Sequence, residues 1–132
     1  MNDFANESLS PDMEQNISRI REISDNGSDV MVNKFLLSGV PAALLTCEGM
    51  VSTSMITELI LEPITKVQLA AADAEKVIFH VQNRLLLSLD RSEAKNYRDL
   101  FRFLNSGFAV LLINGASKAL VYGVQGYEKR SV

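Results

Sequence analysis

The run Phe108-Ala109-Val110-Leu111-Leu112-Ile113 carries no polar side chain, and it lies between Gly107 and the pair Asn114-Gly115. An unbroken apolar run bounded by turn formers predicts a strand covered on both faces rather than one. Asn114-Gly115 offers two residues that accept positive φ, the chemistry of a short hairpin turn. A second strand is then expected over Lys118 to Gln125. It puts Leu120, Tyr122 and Val124 on one face and Ala119, Val121 and Gly123 on the other. A hairpin by itself is marginal in water, so the chain upstream has to supply both covering layers.

Ser10-Pro11 reads as the start of the first covering helix: serine caps well, and proline suits the first helical position, where its missing N–H has no partner to lose. Met13, Ile17, Ile20 and Ile23 follow as one apolar stripe, and Asn26-Gly27 ends it. Residues 1–9 are polar and form a flexible N-terminus anchored by Phe4 and Leu9. Asp29 to Leu37 reads as a strand, Ser38-Gly39-Val40-Pro41 as a turn and Ala42 to Glu48 as the returning strand, which makes a second hairpin. A short helix follows Ser52-Thr53-Ser54 through Ile56, Leu59 and Ile60, and Pro63 stops it. Residues 66–72 read either as loop or as a helical turn. Asp73 caps a helix carrying Val77, Ile78, Val81 and Leu85. The last helix spans residues 93–105, with Tyr97, Leu100, Phe101 and Leu104 buried, Arg98 and Arg102 outside, and Gly107 as its cap. The fold class is therefore α/β: roughly four strands in one mixed sheet made of two hairpins, flanked by about four helices. Residues 10–132 form a single α/β subdomain.

Composition narrows the function. A lone cysteine, Cys47, rules out an internal disulfide and a thiolate metal cluster, and it reads as a small buried hydrophobe. The single histidine, His80, falls inside a helix with no second ligand one turn away, so no metal and no acid–base role is expected of it. No glycine-rich phosphate loop precedes a helix, and no serine sits on a sharp strand-to-helix turn. The chain is read as non-enzymatic, without cofactor. Net charge is −3, unevenly spread. Residues 1–29 hold seven acids against two bases, whereas residues 91–102 hold four bases against two acids. A nucleic-acid binder needs a strongly basic face, which is lacking. The uneven charge reads either as solvated helix faces or as patches that meet in an assembly. No apolar run approaches the ~20 residues of a spanning helix, and no secretory signal is present, so the sequence by itself reads as soluble.

One stretch carries a resemblance. Phe101-Arg102-Phe103-Leu104-Asn105-Ser106-Gly107, the apolar strand, Asn114-Gly115, Ser117-Lys118-Ala119-Leu120 and the close Gly126-Tyr127-Glu128-Lys129-Arg130-Ser131 resemble the A subunit of the GerA family of spore germinant receptors. Ile20-Arg21-Glu22-Ile23, Ser28-Asp29-Val30 and the segment reaching Ile60 and Pro63 extend the likeness to about residues 14–132. Asn114 stands where that family usually has aspartate. The resemblance implies the first part of an N-terminal hydrophilic region, followed by a second soluble subdomain and a membrane domain. It also implies assembly with B and C subunits in the spore inner membrane, this region lying on the core side, and a response to amino acids, sugars or nucleosides that starts germination.

The expected role is sensing or signal coupling, with the chain exit after Gly126 as the hinge. Two alternatives stand beside it. In one, the subdomain contributes directly to a nutrient site through Asn114, Ser117 and Arg130. In the other it is a scaffold for subunit assembly. The expected interface residues are Arg98, Arg102, Lys129 and Arg130, the last two facing a neighbouring subdomain or anionic headgroups.

Overall fold

The computed structural model describes residues 6–24, 30–47, 73–77 and 91–122. Expectations that rest on Phe4, Asn26-Gly27, residues 48–72, His80, Val81, Leu85 and the exit from Gly123 through Lys129 and Arg130 lie outside these. In chain order the elements are α1 (Met13–Ile23), β1 (Val30–Leu37), β2 (Val40–Cys47), β3 (Arg91–Ala94), α2 (Tyr97–Asn105), β4 (Ala109–Ile113) and β5 (Ala119–Tyr122). Residues 74–77 are also helical, and the Asp73 carboxylate accepts the Lys76 N–H at 2.9 Å, as expected of a cap.

The strands form one sheet in the order β1-β2-β4-β5-β3. Every pairing is antiparallel. The apolar run lies in the middle strand: all of β4 is buried. Side chains alternate as the two-residue period requires. Leu44, Leu111, Leu120 and Tyr122 enter the core on the face covered by Val77, and Leu45, Val110, Leu112 and Val121 enter the core under α1 and α2. The predicted face assignment of Leu120 and Tyr122 against Ala119 and Val121 is the observed one.

The structure differs from the sequence-based expectation in four places, each for a physical reason. The sheet is antiparallel throughout rather than mixed, because the two hairpins also meet antiparallel, β2 against β4. The sheet has a fifth strand. Arg91-Ser92-Glu93-Ala94 has little β propensity and read as leading into a helix, but it pairs residue for residue with β5. Strand propensity is weak against tertiary pairing, and a charged strand is well suited to a sheet edge. The Glu93 carboxylate there meets Lys118 at 2.8 Å. The last helix accordingly begins at Tyr97, capped by Asn96, whose Oδ1 accepts the Asp99 N–H at 2.8 Å.

The tight turn with two left-handed residues is not at Asn114-Gly115. It is Ser38-Gly39, with φ of 51° and 86°, joining β1 to β2 without a gap in their ladder. Val40 and Pro41 belong to β2, and Pro41 lies just outside the Ala42–Leu45 stretch that pairs with β4. Its missing N–H therefore removes no rung between those strands.

Helix α1 is capped by Asp12, not Ser10. The Asp12 carboxylate accepts the N–H groups of Glu14 and Gln15. A charged acceptor at a helix start gains from the macrodipole and from stronger hydrogen bonds. Ser10 is held outside the helix by Asn16, whose Oδ1 accepts the Ser10 N–H at 2.8 Å and whose Nδ2 donates to the Ser10 carbonyl at 2.7 Å. The Tyr97 hydroxyl donates to the same Asn16 Oδ1 at 2.8 Å, tying α1 to α2.

Burial, reinforced by the Glu7 carboxylate, pushes the Tyr97 phenol up to about 12. The folded chain keeps this proton where the unfolded chain has already lost it. Stability from this group is complete below the ordinary tyrosine value and declines as pH rises through the interval up to about 12. Urea midpoints should fall over that interval, and Tyr97→Phe should flatten the decline. A slope unchanged by Tyr97→Phe would assign the loss to other groups.

Candidate functional site

The loop between β4 and β5 is stitched to the beginning of α1. The Asn114 N–H donates to the Pro41 carbonyl at 2.9 Å, and the Gly115 N–H donates to the Pro11 carbonyl at 2.7 Å. Asn114 Oδ1 accepts the Met13 N–H at 3.0 Å. The first N–H groups of a helix have no partner within it, so Asn114 caps α1 from another part of the fold. Gly115 adopts φ of +103°, and a Cβ there would stand 2.9 Å from the Ala74 Cβ. Only glycine leaves room for the helical residues 74–77 to approach.

Around these contacts lies an open depression of about 550 Å³. Its walls are the start of α1 from Pro11 to Glu14, Pro41 of β2, and Asn114 and Gly115 of the loop. Asp12 is engaged as the cap, and Glu14 meets the Lys34 ammonium at 3.0 Å. The Pro11 and Pro41 carbonyls and Asn114 Oδ1 likewise already accept hydrogen bonds from within the fold. Among the described residues, no group of three or more His, Cys, Asp or Glu side chains could hold a metal ion. Cys47 is buried, its Sγ lying 4.0 Å from Asn105 Oδ1.

The structure brings one of the predicted ligand residues to this depression. Asn114 lines it, whereas Ser117 is exposed in the same loop and is not part of the wall. Arg130 and Lys129 lie outside the described residues. Arg98 and Arg102 stand on the outer face of α2 as expected, with side chains 61% and 67% exposed. The sequence reading missed Pro11 to Glu14 and Pro41. Their proximity to Asn114 depends on a contact across 101 residues, although the acid-rich start of α1 was visible as a helix terminus.

Asn114→Ala is expected to cost about 1 kcal/mol, the usual loss for a missing cap. Asn114→Asp keeps an acceptor oxygen and adds favourable charge at a helix start, so it should be neutral or slightly stabilising. Urea denaturation followed by circular dichroism measures both. Equal destabilisation by the two substitutions would show that the Met13 N–H contact is not what Asn114 contributes.

Among the described residues of the acid-rich N-terminal segment, Glu7, Glu14 and Glu22 are ion-paired within the fold. Arg19 meets Glu7 at 2.8 Å and Glu22 at 3.1 Å. Its hydrogen bond to Glu7 holds that carboxyl below the usual carboxylate range. Among the described residues no helix is long and apolar enough to cross a membrane.

Comparison with known proteins places this fold. The model of the family described as "GerA: Bacillus/Clostridium GerA spore germination protein" matches residues 18–132. The crystal structure of the N-terminal domain of the A subunit of the Bacillus megaterium spore germinant receptor GerK3 is similar, with a TM-score of 0.73 and 26% sequence identity. That likeness covers 90% of this chain and 48% of the GerK3 chain, so this chain spans about half the length of the structure it matches. No match is found among curated proteins. With the family match running from the middle of α1 to the last residue, this chain belongs to the GerA family of spore germination proteins.

Proposed function

We propose that this chain is a non-enzymatic signal-coupling domain of a germinant receptor A subunit. The observation that carries the reading is the likeness of nearly the whole chain to half of the N-terminal domain of such a subunit. On this reading the domain works within a receptor that also contains B and C subunits and sits at the spore inner membrane, this domain on its core side. Nutrient binding elsewhere changes how the domain packs on its neighbours. A response of this kind requires two arrangements whose balance the nutrient shifts. The stiff sheet, with β4 enclosed on both faces, suits a domain that moves as a body.

The test is a domain exchange. This region is swapped between the A subunits of two receptors that answer to different nutrients, and germination of the spores is followed. Coupling predicts that each receptor keeps its nutrient preference. A preference that travels with the exchanged domain would overturn the reading.

The depression beside Asn114 supports a second reading, in which the domain contributes directly to a nutrient site. The remaining lone pairs of its carbonyl and carboxylate oxygens would take the ammonium group of an amino acid or the hydroxyls of a sugar. Ser117 and Arg130 are the other residues that this reading proposes. NMR titration with amino acids and sugars is the measurement. Saturable shifts at Pro11 to Glu14 and Asn114 support this reading, and no shifts at millimolar ligand count against it.

A further inference from the structure

Among the described residues, the outer face of α2 holds more cations than carboxylates that meet them. Arg98 and Arg102 both turn to one carboxylate, Asp99, at 3.9 and 3.6 Å. Lys95, which precedes the Asn96 cap, is also exposed. The contrast with α1 is direct. There Arg19 takes up Glu7 and Glu22, and Glu14 is met by Lys34. Among the described residues Glu7, Glu14 and Glu22 each meet a cation of the domain, whereas two guanidinium groups on α2 share a single carboxylate.

We propose that this face docks an acidic helical segment of another receptor subunit, one that carries carboxylates a turn apart. The inference rests on the coupling reading above and supplies its contact surface. Residues four apart on a helix are separated by about 6 Å along the axis, the spacing that glutamates four apart on a partner helix present in return. Arginine is the cation suited to this, because its planar fork binds a carboxylate through two hydrogen bonds. The Arg102 guanidinium is already positioned: it lies 5.3 Å from the Phe103 ring centroid. Phe103 is in turn fixed edge-on against Phe108, with centroids 5.3 Å apart. A cation held in place by a packed ring loses less freedom on binding than one on a free stem. Arginine over an aromatic ring is also the composition of protein interfaces. The chemistry favours protein over lipid, because polybasic lipid-binding segments cluster about four to eight lysines and arginines. Here two guanidinium groups flank a single carboxylate.

The test uses the whole 132-residue chain. The probe is an alanine-based helical peptide with glutamates four residues apart, the control is the same peptide with glutamine, and binding is followed by NMR. Saturable shifts over Lys95 to Phe103 are expected with the glutamate peptide, weakening as salt rises, and none with the glutamine peptide. Arg98→Gln with Arg102→Gln should weaken binding about tenfold. These neutral replacements avoid placing like charges beside Asp99, and an unchanged unfolding midpoint confirms that the fold is intact. Binding retained in that double variant, shifts centred elsewhere, or equal binding of the glutamine peptide would overturn the proposal. So would preferential binding to vesicles of phosphatidylglycerol and phosphatidylcholine, which would assign the face to lipid. None of these readouts involves germination. Their failure leaves the coupling reading standing, and a failed domain exchange leaves the surface standing.

Discussion

Leu111→Ala is expected to lower the unfolding free energy by about 3 kcal/mol, within the range typical of a fully buried leucine. Leu111 is 0% exposed and lies midway along β4. It faces Leu44 on β2 and Leu120 on β5, so its side chain sits in a row that crosses three strands. Val77 and Tyr122 close the same cluster. Neither neighbouring strand is free to move inward, because each is held by its ladder to β4. The cavity should therefore stay open, which adds to the lost transfer free energy. Domains of this size hold only about 5–15 kcal/mol in total, so the variant should denature at a much lower urea concentration with an unchanged slope. A loss below about 1 kcal/mol would mean that the row collapses around the gap, contrary to a rigidly paired sheet.

Asn16→Leu is expected to cost about 2–4 kcal/mol, although it replaces a polar side chain with an apolar one of similar size in a buried place. Asn16 is 1% exposed. Its amide satisfies the Ser10 N–H, the Ser10 carbonyl and the Tyr97 hydroxyl at once. Leucine leaves all three without that partner, and the penalty for a buried polar group without a partner exceeds the gain from an added apolar contact. Tyr97→Phe alone should cost about 1 kcal/mol, because it removes a single hydrogen bond and its donor together. Combined with Asn16→Leu, it should cost less than the sum of the two, since the hydroxyl is no longer left unpaired. Strict additivity in urea denaturation would show that the two side chains do not act together.

These two predictions differ in how far the sequence announced them. Leu111 stands in a run whose lack of polar residues already demanded cover on both faces. The same logic, period and burial, correctly placed β1, β2 and the buried face of α2 at Tyr97, Leu100 and Leu104, while Phe101, also expected there, is only half-buried. Asn16 was invisible, because an asparagine on a helix reads as solvated until its partners are known, and Tyr97 lies 81 residues away. Strand β3 was hidden for a related reason. Its four residues carry no strand pattern of their own and take their shape from β5. Both turns lie where the sequence placed them, but the pair of left-handed residues falls on Ser38-Gly39, because Ser38 adopts the conformation that the sequence reading reserved for Asn114.

The candidate site divides in the same way. Arg98 and Arg102 could be placed on an exposed face from helical spacing, and Asn114-Gly115 could be identified as a loop. That Asn114 caps α1, and that Gly115 is required by Ala74, follows from packing alone. Local chemistry therefore determined which segments must be buried, which face outward and which family pattern the chain carries, since these depend on residue type and near spacing. The tertiary structure decided which acids are neutralised, which cations keep excess charge and which residues surround the depression. Those properties arise from contacts between elements far apart in the chain, and no local pattern encodes them.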